Sequence, residues 1–322
     1  MVSQNSLSPD YARLLVKIAR SYYDDGLTQK EIGGRLGLSR IKVSRLLSAA
    51  REAEIVQIRI VAPEDDHVDL ERALEARYGL DEALIATPLK DDAEHVRIAL
   101  GEVAAHCLVR GLRGNETLAL TWGSTLRAVV EALALRDWPE MRVVQSLGGL
   151  GRPDADVYGA DLVQRTTRTL GARARILSAP GIVPTHDIRD ALLADPQIAD
   201  TLSLAAKADI ALVGIGRPTP DSVVRQSRIL TEETVAELTT LGAVGDIGLR
   251  FFDTQGKPIA HEINERIIGL TLEEMAEIRR VIGVAGGKEK FEVIRAAVRG
   301  KLVDVLVTDL GNARRLLDDI ES

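Results

Sequence analysis

A short segment with two hydroxyls follows one of the apolar runs of the sequence and could bind an anion. It comes directly after the predicted strand Thr117–Thr121 and opens the predicted helix Leu126–Leu135. Backbone N–H groups and the positive end of the helix dipole attract anions at such a place, and hydroxyls can add hydrogen bonds. The segment therefore predicts a phosphate cradle, and the alternative is a turn whose hydroxyls only cap the helix. Its residues are Gly123, Ser124, Thr125 and Leu126.

A lysine follows another apolar run in a similar arrangement. Lys288 comes after two glycines and the predicted strand Val281–Ala285, and it begins the predicted helix Lys288–Arg299. It could supply a cation to a phosphate or a hydrogen bond to a ligand hydroxyl. The alternative is a solvated surface lysine. Lys290 is the weaker candidate, because it points further round the predicted helix.

Other polar residues stand near strand ends with less distinctive surroundings. Asp246 ends a predicted strand of small residues, where a carboxylate could accept hydrogen bonds from vicinal sugar hydroxyls; the alternative is a turn-forming aspartate. Gln145 and Gly148 end a further predicted strand and are weaker candidates. Arg225 and Arg228 lie on a predicted loop, where either could reach a second anionic group or could simply be solvated.

The stretch from Thr28 to Ser48 carries a different chemistry, because its basic residues are concentrated on one predicted helix. Apolar spacing predicts a helix, a tight turn at Gly37, and a second helix with Ser39 as its N-cap. Basic and polar groups facing outward over a thin apolar seam are typical of a helix that enters the DNA major groove. The predicted DNA-facing residues are Gln29, Ser39, Arg40, Lys42, Ser44 and Arg45.

The three cations of this second helix are two to three residues apart, so they cannot all face the same bases. We expect some to read base edges and others to contact phosphates. The alternative for Ser39 is a cap alone, and the alternative for the basic face is a solvated helix surface.

The elements that must position these residues fall into two groups. Helix Pro9–Tyr23 precedes the helix-turn-helix, and Ile55–Val61 alternates like a short strand or wing. Helix Val68–Tyr78 is predicted as a spacer or dimerisation element. Two glycines inside the first helix of the motif, Gly33 and Gly34, cost stability there, and a close approach by the next helix would explain one of them.

From residue 82 onward, apolar strands alternate with helical patterns, which predicts a mainly parallel sheet covered on both faces. Such sheets bind ligands at the carboxyl ends of their strands. The predicted strands are Glu82–Thr87, Thr117–Thr121, Arg142–Ser146, Arg173–Leu177, Ile210–Ile215, Val244–Ile247, Val281–Ala285 and Val303–Thr308. The predicted helices include Val96–Gly111, Leu126–Leu135, Tyr158–Leu170, Thr231–Leu241, Leu272–Ile278 and Lys288–Arg299.

Length and charge support this division. A chain of 322 residues suits two domains, and we place the boundary in the Pro63–Asp66 break, giving domains 1–62 and 63–322. Residues 1–60 hold ten Lys/Arg against six Asp/Glu, a net charge of +4. Because the whole chain has a net charge of −7, residues 61–322 carry −11. A basic head on an acidic body fits local contact with DNA.

Several classes of protein are excluded. The single cysteine, Cys107, cannot form an intrachain disulfide, and the five histidines lack ligand spacing, so no metal site is expected. No nucleophile elbow of the form G-x-S-x-G occurs, and no catalytic residue or cofactor is expected. Without a signal-like start or an apolar run of 18 residues, a soluble cytoplasmic protein with no membrane partner is expected.

Taken together and in this order, the motifs resemble the SorC family of sugar-responsive, DeoR-like bacterial transcriptional regulators, over roughly residues 10 to 317. The N-terminal part of the resemblance is DDGLTQKEIGGRLGLSRIKVSRLLSAAREAEIVQIRI. The C-terminal parts are WGSTL, GIG, GAVGDI and VAGGKEKFEVIRAAVRGKLVDVLVTD. Two segments depart from the family pattern: residues 146–149, where members often have an Asn-Gly-Gly form, and residues 310–312.

The resemblance implies a winged-helix-like helix-turn-helix domain, followed by a Rossmann-like α/β effector domain of the phosphosugar-isomerase/CoA-transferase type. It further implies an effector that is a sugar, sugar alcohol or sugar phosphate, contacted by a lysine at the place of Lys288. Homo-oligomers, dimers or tetramers, would bind operator DNA of a carbohydrate catabolic operon. The alternative is a phosphosugar isomerase with an appended DNA-binding head; Asp246 could be its base, but no companion acid is visible.

Overall fold

The computed structural model of the chain describes residues 8–58, 67–149, 159–217 and 231–319. The chain forms two compact units, Met1–Asp66 and His67–Ser322, which are described separately below. The predicted domain boundary after residue 62 lies outside the described residues.

Helices α1 (Pro9–Tyr23), α2 (Gln29–Leu36) and α3 (Arg40–Glu52) make up the first unit. Capping side chains fix where they begin: the Ser8 hydroxyl accepts the Tyr11 N–H before α1, and Thr28 forms a capping box with Glu31 before α2. A left-handed glycine at position 37 ends α2. The small core consists of Leu15, Ile18, Ile32, Val43, Leu46, Leu47 and Ala50.

The turn between α2 and α3 explains one of the two glycines inside α2. A Cβ on Gly33 would lie 2.5 Å from the carbonyl oxygen of Leu38, so the close approach is made by the turn backbone. Gly34 faces open space and nothing in the structure explains it. Of the predicted strand or wing Ile55–Val61, the described part, residues 55–58, contains no strand; the remainder lies outside the described residues.

A nine-stranded sheet organises the second unit, in the order β1-β9-β8-β5-β2-β3-β4 with parallel pairing throughout that path. Strands β6 and β7 extend the end of β5 in antiparallel fashion. The strands are β1 Glu82–Ala86, β2 Thr117–Leu120, β3 Arg142–Gln145, β4 Arg173–Arg175, β5 Ile210–Gly216, β6 Gly245–Ile247, β7 Arg250–Phe252, β8 Val281–Val284 and β9 Val305–Asp309.

Helices cover both faces of this sheet. They are α4 Val68–Tyr78, α5 Ala93–Arg110, α6 Ser124–Glu131, α7 Gly159–Leu170, α8 His186–Leu193, α9 Pro196–Ala206, α10 Glu232–Thr240, α11 Leu272–Ala276, α12 Phe291–Arg299 and α13 Leu310–Asp318. Successive strand residues point to opposite faces. Leu118 and Leu120 of β2 pack with α5, α6 and α7, whereas Ala119 packs in the core on the other face, with α12 and α13.

The predicted sheet with helices on both faces is confirmed, with three differences in detail. Strand β6 is antiparallel, because β5, β6 and β7 form a short meander. The predicted helix Lys288–Arg299 begins as a 3₁₀ turn, Lys288–Lys290, and becomes α-helical only at Phe291. Helices α8, α9 and α13 are absent from the elements named from sequence.

Candidate functional site

Four neighbouring parallel strands, β9, β8, β5 and β2, end at the same edge of the sheet. The segments that follow them hold most of the polar residues singled out from the sequence. Strand β2 leads into α6, β5 pairs at its end with β6, and β8 leads into the 3₁₀ turn before α12. The candidate site is therefore built from backbone that the buried strands hold in place.

The N-terminus of α6 is free of side-chain caps. Gly123 is its N-cap residue, with φ of 148°, and no side-chain hydrogen bond is made there. Ser124, the first residue of α6, is exposed, while Thr125 is buried. The alternative of a hydroxyl-capped turn is thus not what the structure shows. The Leu126 side chain lies in the core, where its Cγ would be 3.9 Å from a Cβ on Gly214 of β5.

Asp246 lies on β6, directly across from Gly216 of β5. A Cβ on Gly216 would lie 2.5 Å from a carboxylate oxygen of Asp246, so glycine is needed there to admit the carboxyl group. The other oxygen accepts the Leu249 N–H at 3.0 Å. Burial raises the pKa of Asp246 to about 6, although the Leu249 N–H and the nearby Lys290 oppose the shift.

Lys290, the weaker of the two lysine candidates, is the one that the structure brings to Asp246. Its Nζ donates to the Ile215 carbonyl oxygen at 3.1 Å, at the end of β5. Burial lowers the pKa of Lys290, while Asp246 and Glu289 act in the opposite direction. An ionisable pair of opposite charge therefore lies where β5 and β6 meet.

Lys288 points elsewhere. Its side chain is 81% exposed and its Nζ lies 2.5 Å from a carboxylate oxygen of Asp91, whose hydrogen bond raises the pKa of Lys288. Lys288 points away from Asp246 because residues 288–290 form a 3₁₀ turn. Such a turn has about three residues per turn, so its side chains do not point in the directions that an α-helix would give them.

Asp309, at the end of β9, holds the loop that carries these lysines. One of its carboxylate oxygens accepts the Gly287 N–H at 2.8 Å and the Asn312 side-chain amide at 2.6 Å. Asn312 also donates to the Gly287 carbonyl oxygen. Arg315 and Arg217 donate to the next two carbonyl oxygens of the loop. Residues 310–312 were noted from sequence only as a departure from the family pattern, although an Asp at a strand end before an amphipathic helix is a recognisable N-cap signal.

Gln145 and Gly148 make hydrogen bonds and close contacts within the protein. Gln145 is 1% exposed; its amide donates to the Leu147 carbonyl oxygen and accepts the Leu177 N–H. Gly148 accepts the Trp122 indole N–H at 2.9 Å, and a Cβ on it would lie 2.4 Å from the Pro180 carbonyl oxygen. Both residues therefore hold the segments that meet at the end of β3.

Thr121 follows β2 and lies near the turn after β6. Its side chain would be 3.6 Å from a Cβ on Gly248, in the turn between β6 and β7. Its hydroxyl is buried and, within the described part of the chain, has no hydrogen-bond partner.

Arg225 and Arg228 lie outside the described residues. Among residues 8–58, 67–149, 159–217 and 231–319, no group of three or more His, Cys, Asp or Glu could hold a metal ion.

In the first unit, α3 carries four of the predicted DNA-facing side chains, Ser39 caps it, and Gln29 is the first residue of α2. Arg40, Lys42 and Arg45 are exposed, and Gln29 and Ser44 are partly exposed. The Ser39 hydroxyl accepts the Lys42 N–H at 3.2 Å, so Ser39 is an N-cap. Of the helices described, none is long and apolar enough to cross a membrane.

The chain combines a helix-turn-helix unit, whose second helix is basic, with an α/β unit that has a polar site at its strand ends. This combination is typical of DNA-binding regulators that carry their own ligand-binding domain. A family described as "Putative sugar-binding domain" matches residues 63–318, and the family of sigma-70 region 4 matches residues 17–53. The chain belongs to the SorC family of sugar-binding transcriptional regulators.

Individual relatives agree with this assignment. The chain is 30% identical over 308 residues to the deoxyribonucleoside regulator of Bacillus subtilis, covering 96% of this chain and 98% of that one. It is 32% identical to the transcriptional regulator LsrR of Escherichia coli K12, with 94% of each chain covered. The full-length sorbitol operon regulator SorC of Klebsiella pneumoniae has the same fold, with a TM-score of 0.74, 30% identity and coverage of 96% and 99%.

These relatives are named as regulators, which favours a regulator over the isomerase alternative. They do not test the individual site residues, which remain predictions.

Proposed function

We propose that the chain binds operator DNA through α3 and is controlled by a sugar, sugar alcohol or sugar phosphate bound at the strand ends of its α/β unit. The observation that carries this proposal is the buried Asp246 near the partly buried Lys290, at the same sheet edge as the uncapped N-terminus of α6. A carboxylate and an ammonium group suit the hydroxyls and the charge of a phosphorylated sugar, and the helix N-terminus suits its phosphate.

Each candidate residue then has a role. Gly123, Ser124 and Thr125 supply N–H groups and hydroxyls to the phosphate, and Leu126 supplies an N–H. Asp246 accepts hydrogen bonds from sugar hydroxyls, and Lys290 supplies the cation that the sequence pattern assigned to Lys288. The exposed Lys288–Asp91 ion pair belongs to the rim of the site. Gln145 and Gly148 support the site without touching the ligand.

The names of the relatives suggest the biological setting. One is a regulator of a sorbitol operon and another a deoxyribonucleoside regulator, so we propose control of a carbohydrate catabolic operon in the cytoplasm. Residues 1–62 would bind DNA, and residues 63–322 would bind the effector and form a dimer or tetramer. The recognition helices of such an oligomer must match half-sites about one helical turn apart or a multiple of it.

A thermal-shift panel tests the effector proposal. The full-length chain is heated with sugars, sugar alcohols and their phosphates, because a ligand that binds the native state raises the melting temperature. We expect a subset of phosphorylated sugars to raise it, and we expect Lys290→Ala to remove the shift while Lys288→Ala retains it. A panel with no shift, or equal shifts in both variants, would contradict the proposed site.

A further inference from the structure

Helix α3 carries one apolar side chain on its solvent side. Ile41 is 65% exposed, whereas Val43, Leu46 and Leu47 of the same helix are buried. Single exposed apolar residues are common on protein surfaces, so exposure alone assigns nothing to Ile41. The position of Ile41 on the helix is the informative feature.

Ile41 lies near the centre of the face that points away from the core. Each residue turns an α-helix by about 100°, so the buried Val43, Leu46 and Leu47 lie roughly 120° to 160° away from Ile41 around the axis. Ser44 and Arg45, one turn further on, lie on the same outward face as Ile41. If the outward face of α3 lies against DNA, the first turn of the helix therefore turns an aliphatic side chain toward the bases.

Two cations flank this aliphatic side chain. Arg40 and Lys42 precede and follow Ile41, so they point about 100° to either side of it, and both are exposed. A helix that turns Ile41 toward the floor of the major groove directs these two cations toward the two phosphate backbones that form its walls. This arrangement separates the basic residues that cannot all face the same bases.

We propose that Ile41 reads a thymine by van der Waals contact with its 5-methyl group. Among the four unmodified bases, thymine is the one that presents a methyl group in the major groove. The N-terminal residues of a recognition helix are those that reach base edges, and Ile41 is the second residue of α3. The assignment rests on the proposed function, since it requires α3 to enter the major groove.

The test removes the methyl group without changing base pairing. Random duplexes bound by the full-length chain are selected and sequenced, and the enriched duplex is remade with each thymine in turn replaced by deoxyuridine. Anisotropy titrations give the affinity of each duplex for the parent chain, for Ile41→Ala and for Val16→Ala. Val16 is an exposed aliphatic residue of α1 and serves as the matched control.

The parent chain and Val16→Ala are expected to lose about fourfold in affinity at one thymine of each half-site, the effect of burying one methyl group. Ile41→Ala is expected to lose less than about 1.5-fold at that position, since the contact is already gone. Alanine has a higher helix propensity than isoleucine, so the exposed substitution leaves α3 intact. Should Ile41→Ala bind too weakly to titrate, Ile41→Val is measured instead, with an intermediate loss expected.

Two results would overturn the assignment, and they are distinguishable. If a duplex is enriched but every deoxyuridine is tolerated, or if Ile41→Ala (or Ile41→Val in its place) shows the full parental loss, Ile41 does not read thymine although DNA binding stands. If no duplex is enriched over a scrambled pool, the proposed DNA-binding function fails and the assignment of Ile41 fails with it.

Discussion

Asp246 and Lys290 show at the scale of single residues how the site differs from an ordinary surface. Burial shifts both groups toward their neutral forms, which raises the pKa of Asp246 and lowers that of Lys290. Taking two charges out of water is costly unless good geometry and further hydrogen bonds offset it. A polar ligand that bonds to both groups would supply such bonds, which is why we place the effector there.

The two nearby lysines offer a matched pair of substitutions. Lys290→Ala should weaken the best ligand of the thermal-shift panel about ten- to a hundredfold, because a charge-assisted hydrogen bond contributes roughly 1.5–3 kcal/mol. Lys288→Ala should change the affinity less than about twofold, because its ammonium group is solvated and paired with Asp91. Calorimetric titration measures both. Equal losses in the two variants, or a loss confined to Lys288→Ala, would contradict this assignment.

The raised pKa of Asp246 also predicts a pH dependence of stability in the absence of ligand. Because its folded-state pKa, about 6, exceeds the ordinary 3.8, the contribution of this group to stability is fully present below pH 3.8. It is lost as the pH rises through about 6. The free energy of unfolding of Asp246→Asn, relative to that of the parent chain, should therefore rise by about 3 kcal/mol between pH 4 and pH 7. Urea unfolding at both pH values measures the difference; a constant difference would contradict the raised pKa.

The direction of Lys288 differs from the one expected from the sequence. The choice of Lys288 over Lys290 assumed an α-helix from residue 288 onward, but the segment begins as a 3₁₀ turn. The direction of a side chain in such a turn depends on what holds the loop, here Asp309 and Asn312 from the neighbouring strand end. Those partners are more than twenty residues away in sequence, so local spacing could not supply them.

Helix α6 is the element on which the anion site depends. Its first turn has no side-chain cap, and Ser124 is exposed at its first position. Ser124→Glu should therefore repel an anionic ligand and reduce its affinity at least tenfold. The helix itself should not be weakened, because a carboxylate at a helix N-terminus is favourable, by about 0.3–1 kcal/mol.

The control is Ser124→Ala, which should leave stability within about 0.5 kcal/mol, because no capping bond is lost. Melting curves and ligand titrations of the two variants separate the effects. Undiminished binding by Ser124→Glu would show that the phosphate lies elsewhere.

At this scale the sequence predicts elements well where their ends carry local signals. Helix α1 has its predicted bounds because Ser8 and Pro9 start it, and α4 because Gly79 ends it. Buried parallel strands read as continuous apolar runs, so they too are predicted to within a few residues. The meander β6–β7 was not predicted as such, because three-residue strands are defined by their pairing with β5 rather than by their own pattern.

The N-terminal residues 1–60 are basic and the rest of the chain is acidic. This distribution explains how a chain of net charge −7 can bind DNA. A single helix-turn-helix contacts one half-site, so an oligomer is expected for tight operator binding. Light scattering of the purified chain should give two or four times the protomer mass of 34.9 kDa. A monomer at micromolar concentration, with or without ligand, would contradict the proposed assembly.

Control of α3 by the strand-end site requires that ligand and DNA change each other's affinity. Anisotropy titrations of the selected duplex are made with and without a saturating amount of the best ligand from the panel. The account predicts a change in DNA affinity of about 5- to 150-fold, the usual range of allosteric coupling, and the same factor in ligand affinity when DNA is bound. Lys290→Ala should bind the duplex normally and should need about ten- to a hundredfold more ligand for the same change in DNA affinity. Tight binding of both duplex and ligand, with neither affecting the other, would contradict the account.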